Sequence, residues 1–378
     1  MRVRTAIFAP LLFTGGTQRH LQQVLAHLDR SRFDPHVYTL KPGGELEAEL
    51  CAAGVPVTCL GLGTRLGSPH SVRAILRTVR RLRRDGVDIV HGYQWRPALV
   101  GSLVGRLAGV PLLLASKRSL TGGDTRARHA WRRIARQVDT VLVNAEALRV
   151  EGEAQGMRAR WALLQNGVDA DRFRVGAPGP EARAAIGLDP VRPVVGTVGR
   201  LEHRKGQDQL IAALARMPAA AGRPRAQVLV VGEGPTRGEL EGQAVSLGVA
   251  GDVRFAGTLA DVRPAFAAMD VFVLPSREEG MSNALMEAMA AERPVVATAI
   301  GGNGELVSHD RTGVLVPPGD VDAMAHEVLM LLEDPCRAAR LVTAARDFVT
   351  GRFGARARVA ELERLYEQRL AARCPRAA

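Results

Sequence analysis

The sequence predicts an α/β protein with two doubly wound domains, each built on a parallel sheet with helices on both faces. Short apolar runs alternate with amphipathic stretches in both halves of the chain, which is typical of strands and helices that form such sheets. A stretch rich in glycine and proline interrupts this alternation near the middle. The chain has 378 residues, too many for one compact core and suitable for two domains.

In the first half, apolar runs are predicted as strands and amphipathic stretches as helices. In chain order, the predicted elements are strand 5–10, helix 18–28, strand 34–40, helix 45–53, helix 72–84, strand 89–90, helix 97–108, strand 112–115 and strand 140–144. The opening run follows Arg2 and Arg4, as in a secretory signal. However, Gly15 and Gly16 come directly after it and no small-residue cleavage site is evident. We interpret the run as a first buried strand.

Glycine and proline crowd a polar stretch near residues 166–192, which is predicted to be the linker between the domains. After it the alternation begins again. The predicted elements are strand 194–198, helix 207–215, strand 227–231, helix 237–247, strands 253–255 and 271–274, helix 283–290, and strands 295–298 and 313–316. Three helices are expected to close the chain, the last of them at about 355–372.

The composition is that of an ordinary globular protein, with 46% hydrophobic and 24% charged residues, and it argues against extended disorder. No apolar stretch reaches the roughly 18 to 20 residues of a membrane-spanning helix, so we expect a cytoplasmic protein. The cysteines lack the close paired spacing of a zinc or redox site and are expected to be reduced thiols. They are Cys51, Cys59, Cys336 and Cys374.

The formal net charge of +12 raises the question whether the protein binds an anionic partner. A nucleic-acid-binding protein is one alternative, but the arginines are dispersed along both halves and only 4% of the residues are aromatic. Residues 72–84 are better organised, since apolar residues and arginines fall on opposite faces of a helix. Two interpretations stay open: the helix packs on a sheet with its basic face in solvent, or its basic face lies against anionic lipid. The apolar face contains Val72, Ile75, Leu76, Val79 and Leu82, and the basic face Arg73, Arg77, Arg80, Arg81 and Arg84.

Two cations follow the predicted strand 194–198. Arg200 comes directly after Gly199, and Lys205 lies five residues further on. Ligands of such sheets bind at the carboxyl ends of the strands. An arginine, with its forked donors, and a lysine, with its compact charge, together suit a diphosphate.

A second motif follows the predicted strand 271–274 and leads into helix 283–290. Ser282 or Asn283 is expected to cap this helix, whose first N–H groups and positive dipole end would form an anion site. Glu279 precedes the helix and Glu287 lies about one turn inside it. Carboxylates accept hydrogen bonds only, so next to an anion they are suited to the hydroxyls of a sugar or a ribose.

The motifs, taken in order, resemble those of the retaining family 4 glycosyltransferases with the GT-B fold. The family pattern of two glutamates separated by seven residues is matched by Glu279 and Glu287. Its GR…KG loop is matched at 199–200 and 205–206. The resemblance extends from about residue 4 to residue 353. Other matches are His20 after the glycines at 15–16, Phe173 after 166–169, and the segments 288–290, 294–298 and 301–305.

This resemblance implies transfer of a sugar from a UDP or GDP sugar to a glycan, lipid-linked or small-molecule acceptor, with retention of anomeric configuration. Arg200 and Lys205 would bind the diphosphate, and together with Glu279 they would be the catalytic residues. Glu279 would bind a hydroxyl of the transferred sugar, and Glu287 the ribose. Further donor contacts would come from Gly16 in the first domain and from the backbone of Ser282, Asn283, Ala284 and Leu285.

The resemblance also implies the domain arrangement. Residues 1–175 would form the acceptor-side domain and residues 176–353 the donor domain, with a helix at about 354–373 packing back on the first. The donor would bind mainly to the second domain. The enzyme is expected to be cytoplasmic with no nucleic acid as a partner, and whether helix 72–84 brings it into peripheral contact with an anionic membrane stays open.

The acceptor side departs from the family pattern. Many members have a histidine after the strand that corresponds to 112–115, whereas this chain has Ser116, Lys117 and Arg118. The histidine role is therefore not transferred to any residue. Lys117 and Arg118 are candidates for contact with a phosphate of the donor or acceptor, and His91 at the end of the preceding strand is a third acceptor-side candidate.

No metal or other cofactor is expected. Asp169 with Asp171 and Asp320 with Asp322 have the spacing of metal-binding aspartates in transferases of another fold, but Asp320 is placed to cap a helix. Two cations and a helix dipole can stabilise a departing diphosphate. No carboxylate is placed as a nucleophile, so attack by the acceptor on the face that the nucleotide leaves is favoured. A nucleotide-sugar epimerase of the same fold is the other enzyme considered, but the paired glutamates do not suit it.

Overall fold

The structure is a computed structural model that describes residues 2–12, 15–44, 46–63, 66–217 and 225–373. The chain forms two compact units. The first contains the chain up to Gly167 and again from Ala355, and the second runs from Val168 to Gly354. Each unit is built on a parallel sheet, so the predicted α/β class with two doubly wound domains is confirmed.

Seven parallel strands form the sheet in the described part of the first unit, in the order β3-β2-β1-β4-β5-β6-β7. The strand order changes direction between β1 and β4, and such a switch point is where doubly wound sheets bind ligands. The strands are β1 Val3–Ala9, β2 Phe33–Thr39, β3 Val57–Cys59, β4 Ile89–Tyr93, β5 Leu112–Lys117, β6 Thr140–Val143 and β7 Trp161–Leu163.

Helices cover both faces of this sheet. Along β1, Phe8 packs into one cluster with Ile75 and Val104, while the next residue back, Ile7, packs into another with Leu21. Neighbouring side chains of a strand point to opposite faces, so these clusters belong to two helix layers. The helices are α1 Gly16–His27, α2 Leu46–Ala52, α3 Pro69–Arg84, α4 Trp95–Ala108, α5 Thr125–Ala135, α6 Glu146–Ala154 and, at the end of the chain, α15 Ala355–Arg373.

The described part of the second unit has six parallel strands in the order β10-β9-β8-β11-β12-β13, so its switch point lies between β8 and β11. The strands are β8 Val194–Val198, β9 Gln227–Val231, β10 Val253–Gly257, β11 Val271–Leu274, β12 Val295–Thr298 and β13 Val314–Val316. The helices are α7 Pro180–Ala185, α8 Gln207–Arg216, α9 Arg237–Ser246, α10 Arg263–Ala268, α11 Asn283–Ala290, α12 Asn303–Leu306, α13 Val321–Glu333 and α14 Pro335–Arg352.

The last helix, α15, belongs to the first unit. Its apolar residues Val359, Leu362 and Tyr366 pack in one cluster with core residues of that unit. The phenol oxygen of Tyr366 lies 2.7 Å from His91 Nδ1, and Glu363 accepts a hydrogen bond of 2.7 Å from the backbone N–H of Asp29. Because polar groups inside a core must be paired, these bonds hold the helix in one position.

The predicted linker, residues 166–192, is partly helical, and from Val168 onward it belongs to the second unit. Gly179 precedes α7 and Pro180 opens it, so these residues are helix-start signals as well as loop signals. Arg183 in this helix donates to both carboxylate oxygens of Asp270 at 2.8 Å. The boundary between the units falls after Gly167.

Helix α3 is less regular than its predicted two-faced pattern. Ile75, Val79 and Leu82 are buried, but Val72 and Leu76 are 42% and 46% exposed. The pattern was wrong for these two because Ala74 and Thr78 fill the buried face in their place. Val72 and Leu76 therefore lie at the edge of the solvent-facing arc, beside the arginines.

Three of the four cysteines lie in the described residues. Cys51, Cys59 and Cys336 are exposed, and none of them forms a disulfide. Cys374 lies outside the described residues. Within those same ranges, no helix is both long enough and apolar enough to span a bilayer.

The buried His91 predicts acid sensitivity of the first unit. Burial, aided by the charge of Arg118, lowers its pKa to about 3, whereas an unfolded histidine has a pKa of about 6.5. Between these values the unfolded chain binds the proton and the folded chain does not. Stability is therefore full above about pH 6.5 and falls as the pH decreases, by at most about 1.4 kcal/mol per pH unit.

We expect His91→Gln to weaken this dependence, which can be measured as the difference in melting temperature between about pH 7 and about pH 5. The exposed His129→Gln serves as the control and should retain the wild-type difference. Equal differences in all three proteins would contradict a contribution from His91.

Candidate active site at the switch point of the second sheet

The two predicted cations lie in the segment that follows β8. Arg200 is largely exposed, with 62% of its side chain accessible, and its Nε is 3.1 Å from Glu202 Oε1. Lys205 ends a short 3₁₀ turn, His203–Lys205, and only 18% of its side chain is accessible. Arg200 therefore faces solvent, whereas Lys205 is partly enclosed.

Lys205 pairs with Glu279, one of the two predicted glutamates. Lys205 Nζ lies 2.5 Å from Glu279 Oε2, and Ser276 Oγ donates to the same carboxylate oxygen at 3.3 Å. Glu279 follows β11, which is hydrogen-bonded to β8. The switch point thus brings together two residues that are 74 positions apart in the sequence.

The start of α11 lies directly after this loop. Ser282 caps the helix as predicted, because its Oγ accepts a hydrogen bond of 3.3 Å from the backbone N–H of Leu285. The Leu285 side chain is fully buried, so only its backbone is suited to a ligand, while Asn283 and Ala284 in the first turn are partly exposed. Glu287 is 5% exposed and lies one turn into the helix.

Two glycines allow the backbones of the site to pack closely. Gly206 has a φ of 66°, and a Cβ there would lie 2.0 Å from the carbonyl oxygen of Pro275. Gly301 has a φ of 50°, and a Cβ there would lie 1.9 Å from the carbonyl oxygen of Glu279. Any other residue would push the Glu279 loop away from its neighbours.

An ion pair that the sequence analysis missed connects the two loops. Arg277 donates to both carboxylate oxygens of Asp208, at 2.6 and 2.5 Å. The backbone N–H groups of Arg277 and Glu278 both donate to the carbonyl of Arg204, at 2.8 and 3.1 Å. Arg277 lies two residues before Glu279, but nothing in the sequence identifies Asp208, 69 positions away, as its partner.

The acceptor-side candidates lie in the first unit, where His91 is fully buried. Its Nδ1 is paired with Tyr366, as described above, and its Nε2 lies 2.7 Å from Ser116 Oγ. Both ring nitrogens are therefore used inside the first unit. In this structure the side chain supports the packing of β4 against α15.

Lys117 is also fully buried. It forms an ion pair with Glu151, which also accepts hydrogen bonds of 2.9 Å from the N–H and the hydroxyl of Thr121. Burial lowers the pKa of Lys117, and Glu151 counteracts this effect. The ammonium group thus fixes the loop that follows β5, in which Arg118 lies.

Arg118 belongs to a buried polar cluster with unsatisfied atoms. Its guanidinium donates to Asn166 Oδ1, and burial lowers its pKa to about 10. Among the described residues, no hydrogen-bond partner is present for four buried atoms of this cluster: His20 Nε2, Tyr93 Oη, Arg118 Nε and Asn144 Oδ1. The rings of His20 and Tyr93 are 5.9 Å apart. Such atoms are costly unless water or a ligand satisfies them.

The remaining predicted positions have simpler surroundings. Gly16 is the first residue of α1. Asp320 caps α13 as predicted, accepting from the N–H of Ala323 at 2.9 Å, and Asp171 is 99% exposed beside Arg346. In the parts of the chain that the structure describes, no three side chains of the metal-binding types gather.

We expect the Arg277–Asp208 pair to hold Arg200, Lys205 and Glu279 in position for a ligand. Replacing either residue with alanine should weaken nucleotide-diphosphate binding by about tenfold, which corresponds to roughly 1.4 kcal/mol. The reason is that the ion pair no longer fixes the loop of Glu279 against the segment that carries Lys205. Binding of UDP and GDP can be measured by calorimetry. Arg237→Ala, which breaks the surface ion pairs of Arg237 with Glu233 and Glu241, is the control. Additive losses in the double variant would show that the two residues do not act as a pair.

Comparison with known proteins agrees with the motifs and the fold. Residues 14–172 match the family described as Glycosyltransferase Family 4, and residues 192–334 match the family described as Glycosyl transferases group 1. The solved structure of Anabaena HepE in complex with UDP superposes with a TM-score of 0.83 at 24% identity, covering 97% of this chain and all of that one. The GT-B fold is therefore confirmed.

Two enzymes of known activity are similar over most of the chain. A GDP-mannose-dependent alpha-(1-6)-phosphatidylinositol monomannoside mannosyltransferase from Mycolicibacterium smegmatis is 36% identical over 95% of this chain and 96% of its own. A 2-deoxystreptamine N-acetyl-D-glucosaminyltransferase from Streptomyces fradiae is 34% identical over 75% of this chain and 72% of its own. Their transferred sugars and acceptors differ, while the reaction type is shared. The chain belongs to the family 4 glycosyltransferases of GT-B fold.

Proposed function

We propose that this glycosyltransferase moves a hexosyl group from a UDP or GDP sugar to a lipid-linked or glycan acceptor, with retention of configuration and without a metal ion. The observation that carries the proposal is the Lys205–Glu279 pair beside the start of α11. It puts a cation, a carboxylate and a helix dipole at one switch point, as transfer from a diphosphate donor requires.

The donor would change the partners of this pair. In this structure Glu279 pairs with Lys205 at 2.5 Å. A bound diphosphate would compete for the ammonium group, and the backbone N–H groups at the start of α11 would add further donors. Glu279 would then accept a hydrogen bond from a hydroxyl of the transferred sugar, and Glu287 from the ribose.

Charge stabilisation by the protein supports transfer without a metal. Negative charge develops on the leaving diphosphate, and Arg200, Lys205 and the dipole of α11 are available to stabilise it. Arg200 is exposed and only loosely paired with Glu202, so its guanidinium can reorient towards a phosphate at little cost.

Retention is proposed to occur by attack of the acceptor on the face that the nucleotide leaves. Glu279 is a poor nucleophile because it is paired with Lys205 and accepts from Ser276. The donor phosphate would take the proton of the acceptor hydroxyl. No covalent glycosyl intermediate is required in this mechanism.

The acceptor is proposed to approach the polar cluster of the first unit. Arg118 carries a positive charge there, and the unpaired oxygens of Tyr93 and Asn144 are suited to hydroxyl groups. An acceptor with both hydroxyls and an anionic group fits this chemistry, and the phosphatidylinositol monomannoside in the name of the M. smegmatis relative has both. A lipid-linked acceptor would place the enzyme at the cytoplasmic face of an anionic membrane.

The diphosphate assignment predicts the effect of removing both cations. Arg200→Ala combined with Lys205→Ala should lower the affinity for UDP or GDP by at least about 100-fold, since two charge-assisted contacts of roughly 1.5 to 3 kcal/mol each are lost. Calorimetry on the two nucleotides measures the change. The pair Arg216→Ala and Arg237→Ala, on α8 and α9, is the matched control. Unchanged affinity in the Arg200 and Lys205 variant would refute the assignment.

The reaction itself is tested with a panel of UDP and GDP hexoses in the presence of EDTA. We expect one or more donors to be consumed at the same rate with and without the chelator, and NMR of the product should show the anomeric configuration of the donor. A strict requirement for Mg²⁺ would refute metal independence, and an inverted product would refute the proposed face of attack.

A further inference from the structure

A one-residue turn joins β4 to α4 at the switch point of the first sheet. Strand β4 ends at Tyr93 and helix α4 begins at Trp95, so Gln94 alone makes the turn. Its φ of 67° and ψ of 161° lie in a region of backbone conformation that essentially only glycine occupies. A glycine would fit here without steric strain, yet this chain has a glutamine.

Contacts on both sides hold Gln94 in this conformation. Its backbone N–H donates to the carbonyl of Ser116 in β5 at 3.0 Å, and its carbonyl accepts from the N–H of Ala98 in α4 at 3.0 Å. Helix α4 lies so close to β4 that a Cβ on Gly92 would be 2.4 Å from the Cα of Ala98. Strained residues persist where the surroundings fix them in this way, and they gather at functional sites. A side chain on a sharp, strained turn from strand to helix is exposed at the end of the sheet.

The side chain of Gln94 bridges two other elements at this edge of the sheet. Its Nε2 donates to Thr17 Oγ1, in the first turn of α1, at 2.9 Å. Ser119 Oγ, after β5, donates to its Oε1 at 3.4 Å. All three residues are partly exposed, so these bonds compete with water and add little stability. They offset only a small part of the strain.

The amide of Gln94 retains hydrogen-bonding capacity beyond this bridge. A glutamine amide has two N–H donors and an oxygen with two lone pairs, and contacts within the described ranges use one of each. One donor and one acceptor thus remain on the same planar group. Two neighbouring hydroxyls of a sugar or cyclitol ring match them, since one hydroxyl can accept from the N–H while the other donates to the oxygen.

We infer that Gln94 recognises two vicinal hydroxyls of the acceptor, and that the strain of its turn is retained for this role. The inference rests on the proposed function, in which Glu279 and Glu287 of the second unit bind the hydroxyls of the donor. Gln94 directly follows Tyr93, whose phenol oxygen belongs to the polar cluster proposed for the acceptor. Gln94 is thus a specificity-determining residue, and the acceptor contains a polyhydroxylated ring.

Binding of uncharged probes to the full chain tests the inference. Two probes, myo-inositol and methyl α-D-mannopyranoside, carry vicinal hydroxyls, whereas 1,4-cyclohexanediol has a ring of the same size without them. NMR titration gives the dissociation constants. The wild-type chain should bind at least one of the two polyols and not the diol. Gln94→Glu should weaken polyol binding about tenfold, because loss of the amide N–H leaves one hydroxyl without its partner.

The Gln94→Glu variant separates recognition from the structural bridge. Thr17 and Ser119 have hydroxyls that can donate to a carboxylate, so the bridge survives and the melting temperature should stay near the wild-type value. The matched control is Gln137→Glu, which adds the same charge and should bind the probes as the wild type does. Gln137 is also partly exposed and accepts from Ser102 Oγ at 3.0 Å. However, it precedes β6 and so lies at the amino ends of the strands.

The strain is tested with two variants that both lack the amide. Gln94→Gly should melt at least about 2 °C above Gln94→Ala, because only glycine adopts this backbone conformation without strain. Neither variant should bind the polyol more tightly than Gln94→Glu does.

Four outcomes would overturn the inference. These are absence of polyol binding to the wild-type chain, equal polyol affinity in Gln94→Glu, binding of the diol as tight as that of the polyols, and a Gln94→Ala variant that melts as high as Gln94→Gly. Calorimetry of the wild-type chain with UDP and GDP reads the proposed donor site separately. A failure of the proposed function is therefore distinguished from a failure of polyol recognition.

Discussion

The ion pair between Lys205 and Glu279 is the interaction on which the candidate site depends. It forms because β8 and β11 are neighbours in the second sheet, although the strands are far apart in the chain. The Arg277–Asp208 pair and the close backbone contacts at Gly206 and Gly301 hold the loops that carry it. The neighbouring strands thus bring the loops of Lys205 and Glu279 together, and the contacts between these loops fix the distance between the two side chains.

Sequence patterns predicted the features that depend on residues close together in the chain, such as strands and helix caps. The strands around Arg200 and Glu279 were predicted from their apolar runs, and the Ser282 cap from its position before a helix. The Asp208 partner of Arg277 was missed because ion pairing between segments that follow two neighbouring strands has no periodicity in the chain. The exposure of Val72 and Leu76 was missed because helical spacing does not show which apolar residues the neighbouring elements cover.

The first unit shows why residue type alone is a weak guide to function. His91, Lys117 and Arg118 were equivalent candidates in the sequence, since each follows or ends a strand at the carboxyl edge of the sheet. The structure separates them by their partners: His91 uses both ring nitrogens, Lys117 is paired with Glu151, and Arg118 retains an unsatisfied Nε. Burial raises the cost of every unpaired group, so the unsatisfied arginine is the informative one.

The return of α15 to the first unit affects the order in which the protein folds during synthesis. The core that contains Phe33 and Ile89 also contains Val359, Leu362 and Tyr366, which leave the ribosome at least 270 residues later. The second unit, from Val168 to Gly354, is one continuous segment and is available to fold before that point. The first unit therefore has all of its core residues only after α15 has been synthesised, whereas the second unit has all of its residues earlier, the reverse of the usual N-terminal-first order of domains.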